Sequence, residues 1–133
     1  MLARALVTAA LVAIAAPAIA AETNWPNYRE DDFTVKNYAF KSGESLPEVK
    51  LHYRTLGTPK RDGNGNIVNA VLLLQGNTGT GANWLRPSLA DELFKPGEPL
   101  DAAQTFMILP DALGRGASSK PSDGLRAKFP HYR

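Results

Sequence analysis

The stretch from Ala70 to Gly81 reads AVLLLQGNTGTG, and it decides the fold class of the chain. Its first five residues are all apolar and do not alternate with polar ones, which is typical of a strand buried on both faces. We predict that this strand covers Ile67–Leu74. It leads into a loop with glycines at positions 76, 79 and 81, and glycine lets a backbone turn sharply and approach other groups closely.

A second buried strand and a second glycine-rich loop follow. Thr105–Leu109 is typical of a strand buried on both faces, and it leads into residues 110–121, PDALGRGASSKP. Between the two strands, Ser88–Phe94 has the pattern of a short helix that Ser88 can cap. Two buried strands linked through a helix predict an α/β fold with a parallel sheet. Both loops then lie at the carboxyl edge of that sheet, where ligands bind.

Two amphipathic strands precede these elements. Val49–Leu56 alternates strictly, which predicts one apolar face and one face in contact with water. Phe33–Phe40 alternates less regularly, and its change of phase near Asn37 suggests a β-bulge. Asp62–Gly65 has the Asp, Asn and Gly residues of a tight turn. We expect the residues after Pro121 to form a polar loop.

The N-terminal residues 1–20 read MLARALVTAALVAIAAPAIA and have the pattern of a secretory signal peptide. Arg4 precedes an apolar run that is too short to span a bilayer, and small residues lie at Ala18 and Ala20. We expect cleavage after Ala20, a periplasmic or secreted product and no stable membrane anchor after cleavage. The chain of 133 residues then divides into a signal peptide (1–20), a polar leading segment (21–32) and one domain (33–133).

Composition excludes several classes of function. The 15 Lys and Arg residues against 13 Asp and Glu give a net charge of +2 with no basic cluster, so we expect no nucleic-acid partner. There is no cysteine, and the two histidines, His52 and His131, have no spacing that indicates a metal site. Residues 76–81 lack the Lys and glycine spacing of nucleotide-binding loops, so we expect no cofactor.

The first glycine-rich loop permits two interpretations from its residues alone. It could present backbone N–H groups to the negative charge that develops on a carbonyl oxygen during acyl transfer, as an oxyanion hole does. It could equally be a turn that requires glycine for its geometry. The loop by itself does not distinguish the two.

The two loops together resemble the start of the α/β-hydrolase fold, through Leu72–Gly76 and Asp111–Pro121. Tyr53–Gly57 and Thr78–Trp84 are similar to the homoserine O-acetyltransferase-like branch of that superfamily. The resemblance implies a sheet order of one, two, four, three, five, and a Ser-Asp-His triad in that chain order. It implies that the amide of Asn77 is an oxyanion donor shaped by Gly76 and Thr78.

For the second loop, the resemblance implies a structural turn made by Asp111, Gly114, Gly116 and Ser118, not catalytic groups. One departure from the family concerns the first loop, where Gln75 stands in place of the usual histidine. Gln can form hydrogen bonds but does not titrate. This substitution leaves the exact geometry of the loop open.

The other departure is the nucleophile, because no G-x-S-x-G elbow occurs and Gly116–Lys120 lacks its last glycine. We therefore expect an N-terminal fragment of an exported ester hydrolase-like enzyme that acts on a small-molecule ester or acyl substrate and is inactive alone. An unpaired apolar strand edge would make such a fragment prone to aggregate. The alternatives are a homoserine O-acetyltransferase-like enzyme and a non-catalytic binding fragment. Sequencing the source DNA past Arg133 would distinguish a partial enzyme from a short gene product.

Overall fold

The computed structural model describes residues 25–131, and the expected signal peptide lies outside them. Four strands and one α-helix make up the described part, together with three short 3-10 turns. The strands are β1 (Arg29–Ala39), β2 (Ser45–Leu56), β3 (Ala70–Leu72) and β4 (Phe106–Pro110), the helix is α1 (Pro87–Leu93), and the turns cover Gly81–Leu85, Pro121–Asp123 and Arg126–Lys128. The α/β fold class is confirmed.

The sheet has the order β1-β2-β4-β3. β1 and β4 each pair with β2 in antiparallel fashion, whereas β3 and β4 are parallel. This order confirms the one that the resemblance implies, in which β4 separates β2 from β3. The Asp62–Gly65 turn therefore joins no neighbouring strands of the sheet. It closes a small loop of its own, with a single bridge between Arg61 and Ile67.

The main core lies between one face of the sheet and α1. Leu56, Met107 and Leu109 from β2 and β4 are fully buried there against Ala90 and Phe94 from the helical segment. Because apolar burial is the largest stabilising contribution to a fold, this contact fixes α1 on the sheet. It also fixes the far end of the connection from β3 to α1, where Trp84 and Leu85 pack against the same core.

The opposite face of the sheet carries apolar side chains that no helix of the described residues covers. Leu72 pairs with Ile108, and Ile108 with Thr55, so these side chains share a face. Leu72 is 58% exposed, and Phe33 on β1 is 59% exposed. Within residues 25–131, β3 is therefore covered on one face only, as expected for the N-terminal part of a larger sheet. β3 is also shorter than the predicted Ile67–Leu74.

The prediction for β1 is wrong in two respects. The strand begins at Arg29, four residues before Phe33, and takes in part of the segment expected to precede the domain. The expected bulge at Asn37 is absent, since the pairs Lys36–Glu48 and Tyr38–Leu46 keep one register. Asn37 instead has a φ of +52°. It lies opposite Pro47, a residue that has no N–H to donate to the ladder.

The predicted cap of α1 is also wrong. The N-cap is Arg86 and makes no side-chain capping bond, and Pro87 occupies the first turn. Proline suits this position because its fixed φ is helical and its missing N–H would have no partner there. α1 has seven residues, and no helix of the described part has the length and apolarity to cross a membrane.

The segment after Pro121 is more structured than the expected polar loop. It forms two 3-10 turns, and Phe129 is buried in a second cluster with Phe40, Leu46 and Val49. The Phe40 and Phe129 rings meet edge to face at a centroid distance of 6.5 Å. This contact ties the end of the described chain to β2 and to the turn after β1.

We predict that Leu109→Ala lowers the free energy of unfolding by about 2–5 kcal/mol, because it leaves a cavity under α1. Leu89→Ala is the matched control, since Leu89 lies on α1 itself and its side chain is 40% exposed. Its effect should stay within about 0.5 kcal/mol. Urea unfolding of the complete protein that contains this chain, followed by circular dichroism, measures both, and equal losses in the two variants would contradict this description of the core.

Candidate functional site

The two glycine-rich loops meet at the carboxyl ends of β3 and β4, as predicted. The Gln75 side chain follows β3 and bridges the backbone that follows β4. Its amide nitrogen donates to the carbonyl oxygen of Pro110 at 3.0 Å, and its amide oxygen accepts from the N–H of Ala112 at 3.1 Å. These two partners fix the orientation of the amide. The start of the first loop is thereby joined to the second.

The far end of the first loop is held by Asp111. The N–H of Gly81 donates to Asp111 Oδ1 at 2.8 Å. This approach requires glycine, because a Cβ at position 81 would lie 2.3 Å from the carbonyl oxygen of Leu109. The loop from Gln75 to Gly81 is therefore attached at both ends to the residues that follow β4.

Asp111 is the centre of the site, and it is only 1% exposed. Its Oδ1 also accepts from Arg54 Nη1 at 3.0 Å, and its Oδ2 accepts from the N–H of Ala117 at 2.9 Å. Burial acts to raise the pKa of Asp111, but the N–H groups of Ala117 and Gly81 and the charge of Arg54 outweigh it, so the pKa is lowered. Asp111 is thus an ionised, fully hydrogen-bonded anchor.

The second loop closes around this carboxylate. Gly116 has a φ of +52°, and a Cβ there would lie 2.0 Å from Asp111 Oδ2. Glycine is therefore required for both the backbone conformation and the close approach. The buried Ser118 donates its hydroxyl to the carbonyl oxygen of Asp111 at 2.7 Å. These bonds agree with the structural turn expected for Asp111, Gly114, Gly116 and Ser118.

The second loop also extends the pairing of β2. Ser118 Oγ accepts from the N–H of His52 at 2.8 Å, while the N–H of Asp111 donates to the carbonyl oxygen of His52 at 2.8 Å. Ser119 makes a matching pair with Lys50: its Oγ accepts from the N–H of Lys50, and its N–H donates to the carbonyl oxygen, both at 2.9 Å. The second loop therefore pairs with the part of β2 around Lys50 and His52 that extends past the end of β4.

The polar face of β2 was expected to be wet, and for its central residues this is wrong. His52 and Arg54 are each 12% exposed, because acidic residues of β1 lie across from them. Asp32 Oδ1 lies 2.8 Å from His52 Nδ1, and Glu30 Oε1 accepts from Arg54 Nε at 3.2 Å. Arg54 therefore lies between Glu30 and Asp111. Alternation alone could not show this, because both partners are distant in the chain.

Tyr28 completes this charged cluster. Its hydroxyl donates to Glu30. Burial, together with the hydrogen bond and charge of Glu30, raises the pKa of Tyr28 to about 12. The same hydrogen bond is the main cause of a lowered pKa for Glu30, which Arg54 and His52 lower further. The cluster thus keeps Glu30 ionised beside Arg54.

The three predicted site residues, Gly76, Asn77 and Thr78, form the exposed crest of the first loop. The carbonyl oxygen of Gly76 accepts from Gly79 N–H at 3.2 Å, which makes the crest a turn. The N–H groups of these three residues bond to no acceptor within the described chain. Such a row of free donors could bind an anionic oxygen. The specific role of Asn77 as the oxyanion donor stays a prediction.

No nucleophile with a base beside it occurs among residues 25–131. The His52 ring contacts Asp32 and Glu30, and the His131 ring contacts Glu44, so neither ring reaches a serine hydroxyl. The described chain also has no cluster of three or more His, Cys, Asp or Glu residues suited to a metal ion. An open groove of about 860 Å³ is lined by Tyr53, Thr55 and Phe106 on the sheet face away from α1, and neither glycine-rich loop contributes to its lining.

No family model matches the chain, but individual curated proteins do. A probable acyltransferase of Methanothermobacter thermautotrophicus is 35% identical over 101 residues, which cover 75% of this chain and 30% of that protein. A homoserine O-acetyltransferase of Leifsonia xyli is 33% identical over 109 residues, covering 70% of this chain and 26% of that protein. The chain thus spans less than a third of the length of these relatives.

Solved structures share the fold over a similar extent. An acetylester hydrolase from Corynebacterium glutamicum superposes with a TM-score of 0.64 at 22% identity, over 79% of this chain and 29% of the other. A homoserine O-acetyltransferase from Staphylococcus aureus gives a TM-score of 0.61 at 18% identity, over 78% and 30%. At these identities the likeness concerns the fold.

We predict that Asp111→Asn lowers the free energy of unfolding by about 2–4 kcal/mol, because it leaves Arg54 with one partner fewer and turns an amide N–H₂ toward a backbone donor. The matched control is Asp123→Asn, which affects an exposed carboxylate that pairs with Lys120 Nζ and accepts from the N–H of Lys120, and it should cost much less. Urea unfolding of the complete protein that contains this chain measures both losses. Equal effects would contradict the role of Asp111 as an anchor.

The pH dependence of this loss reports on the charge of Asp111. A lowered folded-state pKa means that ionised Asp111 stabilises the fold above the unfolded-state value of about 3.9, and that this contribution is lost as the pH falls through the folded-state pKa. The difference between wild type and Asp111→Asn should be constant from about pH 5 to 7 and shrink below about pH 4. A pH-independent difference would show that shape, not charge, causes the loss.

Proposed function

We propose that this chain supplies the oxyanion loop of a serine acyl-transfer enzyme. Its sheet is the N-terminal part of the α/β-hydrolase fold, which it shares with acyltransferases, homoserine O-acetyltransferases and esterases. The observation that carries the proposal is the geometry of Gln75–Gly81. This loop is attached at both ends to the residues after β4, while the N–H groups of its crest have no acceptor within residues 25–131.

The loop has the properties that transition-state stabilisation requires. When a nucleophile attacks an ester carbonyl, negative charge develops on the carbonyl oxygen, and N–H donors already aimed at that position stabilise it without reorganising. A loop free to move would lose this advantage, since its donors would have to be ordered during the reaction. The buried Asp111 anchor and the Gln75 bridge provide the rigidity, and Asn77 supplies the donor.

The remaining groups of the reaction are assigned outside residues 25–131. α/β-hydrolases use a serine, an acid and a histidine in that chain order, and the serine lies on an elbow after a strand that follows β4. The serine would attack the carbonyl carbon while the histidine accepts its proton. The histidine would then return that proton to the ester oxygen, so that the C–O bond breaks and the alcohol leaves as the acyl-enzyme forms. The next step, attack by water or by an alcohol, regenerates the serine.

Hydrolysis of a small-molecule ester is the reaction that we favour. The N-terminal pattern of an export signal would carry the protein away from cytoplasmic acyl-CoA, whereas water is available everywhere. Transfer of the acyl group to an alcohol is the second candidate, and similarity to proteins described as acyltransferases favours it. Product analysis with an added alcohol acceptor distinguishes the two reactions.

We predict that Asn77→Pro lowers kcat for p-nitrophenyl acetate by about 10²–10³-fold in the complete protein that contains this chain, because proline removes one oxyanion N–H. Asn77→Ala is the control, since it keeps the N–H and should retain activity within a few-fold. Both variants should still react with a fluorophosphonate that labels an activated serine. Equal loss in the two variants would assign the effect to the Asn77 side chain and contradict the backbone role.

Export is tested separately. We predict that the protein recovered from the cell envelope or medium begins at Ala21, because Ala18 and Ala20 are the small residues that a signal peptidase recognises. Intact-mass measurement identifies the first residue. Ala20→Phe should yield a product that keeps residues 1–20, whereas Ala5→Phe, within the apolar run, should be processed normally. A cytoplasmic wild-type protein that starts at Met1 would contradict the proposal.

A further inference from the structure

Gln75 occupies a special place in the first loop. The residue just before it, Leu74, is held by a hydrogen bond, because Trp84 Nε1 donates to its carbonyl oxygen at 3.2 Å. The residue just after it, Gly76, is exposed, and a Cβ there would meet nothing within 4 Å. Packing therefore does not fix the crest. Its position depends on the anchors at its two ends, and Gln75 is the last anchored residue before Asn77.

The bridge made by Gln75 needs a donor and an acceptor at the same time. Pro110 offers only a carbonyl oxygen, and Ala112 offers only its N–H in this contact. A carboxamide satisfies both because it carries one group of each kind on a rigid plane. It also does so at every pH, because a carboxamide does not titrate.

We propose that Gln75 is a positioning residue that aims the Asn77 N–H at the oxyanion, and that its amide makes this aim independent of pH. The inference rests on the proposed function, because the effect of Gln75 is measured as a change in the rate of acyl transfer. The amide contacts only the backbone of the neighbouring loop and not the reacting atoms. Its effect on the reaction is exerted through the crest of Gly76, Asn77 and Thr78.

Two substitutions should give this position a pH dependence of opposite sign. In Gln75→His, a neutral imidazole has one donor and one acceptor and can keep both bonds. A protonated imidazole has only donors and loses the bond from Ala112. In Gln75→Glu, the carboxylate can accept from Ala112 but is repelled by the oxygen of Pro110. The protonated acid can donate to Pro110 and restores the pair.

The experiment measures kcat and KM for p-nitrophenyl acetate in the complete protein between about pH 4.5 and pH 8, a range that brackets the ordinary pKa values of Glu and His. At each pH, the kcat and KM of a variant are divided by the wild-type values, so that the pH dependence of the catalytic groups that both proteins share cancels. The matched control is Gln104→His, at the only other glutamine of the chain, whose side chain is exposed and accepts from Lys60.

The kcat ratio of Gln75→His should fall about tenfold as the pH decreases through about 6.5, because one hydrogen bond of the bridge is lost. The ratio of Gln75→Glu should rise as the pH decreases toward about 4.5. KM should change little, and the Gln104→His ratio should stay flat. Ratios that are low but independent of pH, or that change in KM alone, would overturn the proposal in favour of a merely structural role.

Failure of the proposed function would look different. In that case the wild-type protein itself would neither hydrolyse p-nitrophenyl acetate nor react with a fluorophosphonate. If Gln75→His fails to fold, Gln75→Glu carries the test alone, because it has nearly the same size and shape as Gln. A Gln75→Glu ratio that does not rise in acid overturns the proposal.

Discussion

The carboxylate of Asp111 holds together three parts of the molecule that are distant in sequence. It accepts bonds from Gly81 at the start of the helical segment, from Ala117 in its own loop and from Arg54 on β2. A buried charge is costly unless it is paired and hydrogen-bonded. The fold meets this requirement only when both loops and β2 are in place together. The position of the first loop is therefore coupled to the folding of the sheet.

The order of the strands makes this coupling possible. β4 lies between β2 and β3, so the loops after β3 and β4 leave the sheet from adjacent strands and on the same edge. The second loop bonds to β2 on one side through Ser118 and Ser119, and it contacts the first loop on the other. The second loop is therefore fixed on β2, and its bonds to Gln75 and Gly81 restrict the movement of the first loop. A catalytic role for the crest depends on this support, because oxyanion donors act by being fixed in advance.

The sequence allowed a correct prediction of the α/β class, the two loops and their meeting at one edge, because apolar runs and glycine spacing are local features. It did not allow a correct prediction of where β1 begins. Arg29–Asp32 is charged and carries no apolar periodicity, whereas in the strand Glu30 and Asp32 lie opposite Arg54 and His52. The bridge from Gln75 joins it to Pro110, 35 residues further along the chain. Local sequence patterns do not predict contacts between residues so far apart.

We propose above that the Asn77 N–H is an oxyanion donor that these contacts hold in place before the reaction. This proposal is tested most directly by a crystal structure of the complete protein that contains this chain, inactivated with a p-nitrophenyl phosphonate. We predict a phosphorus bonded to a serine and a phosphonyl oxygen at about 2.7–3.1 Å from the Asn77 nitrogen, with Gln75 still bridging Pro110 and Ala112. A covalent adduct whose oxygen is bound by other donors, with the crest of the loop turned away, would contradict it.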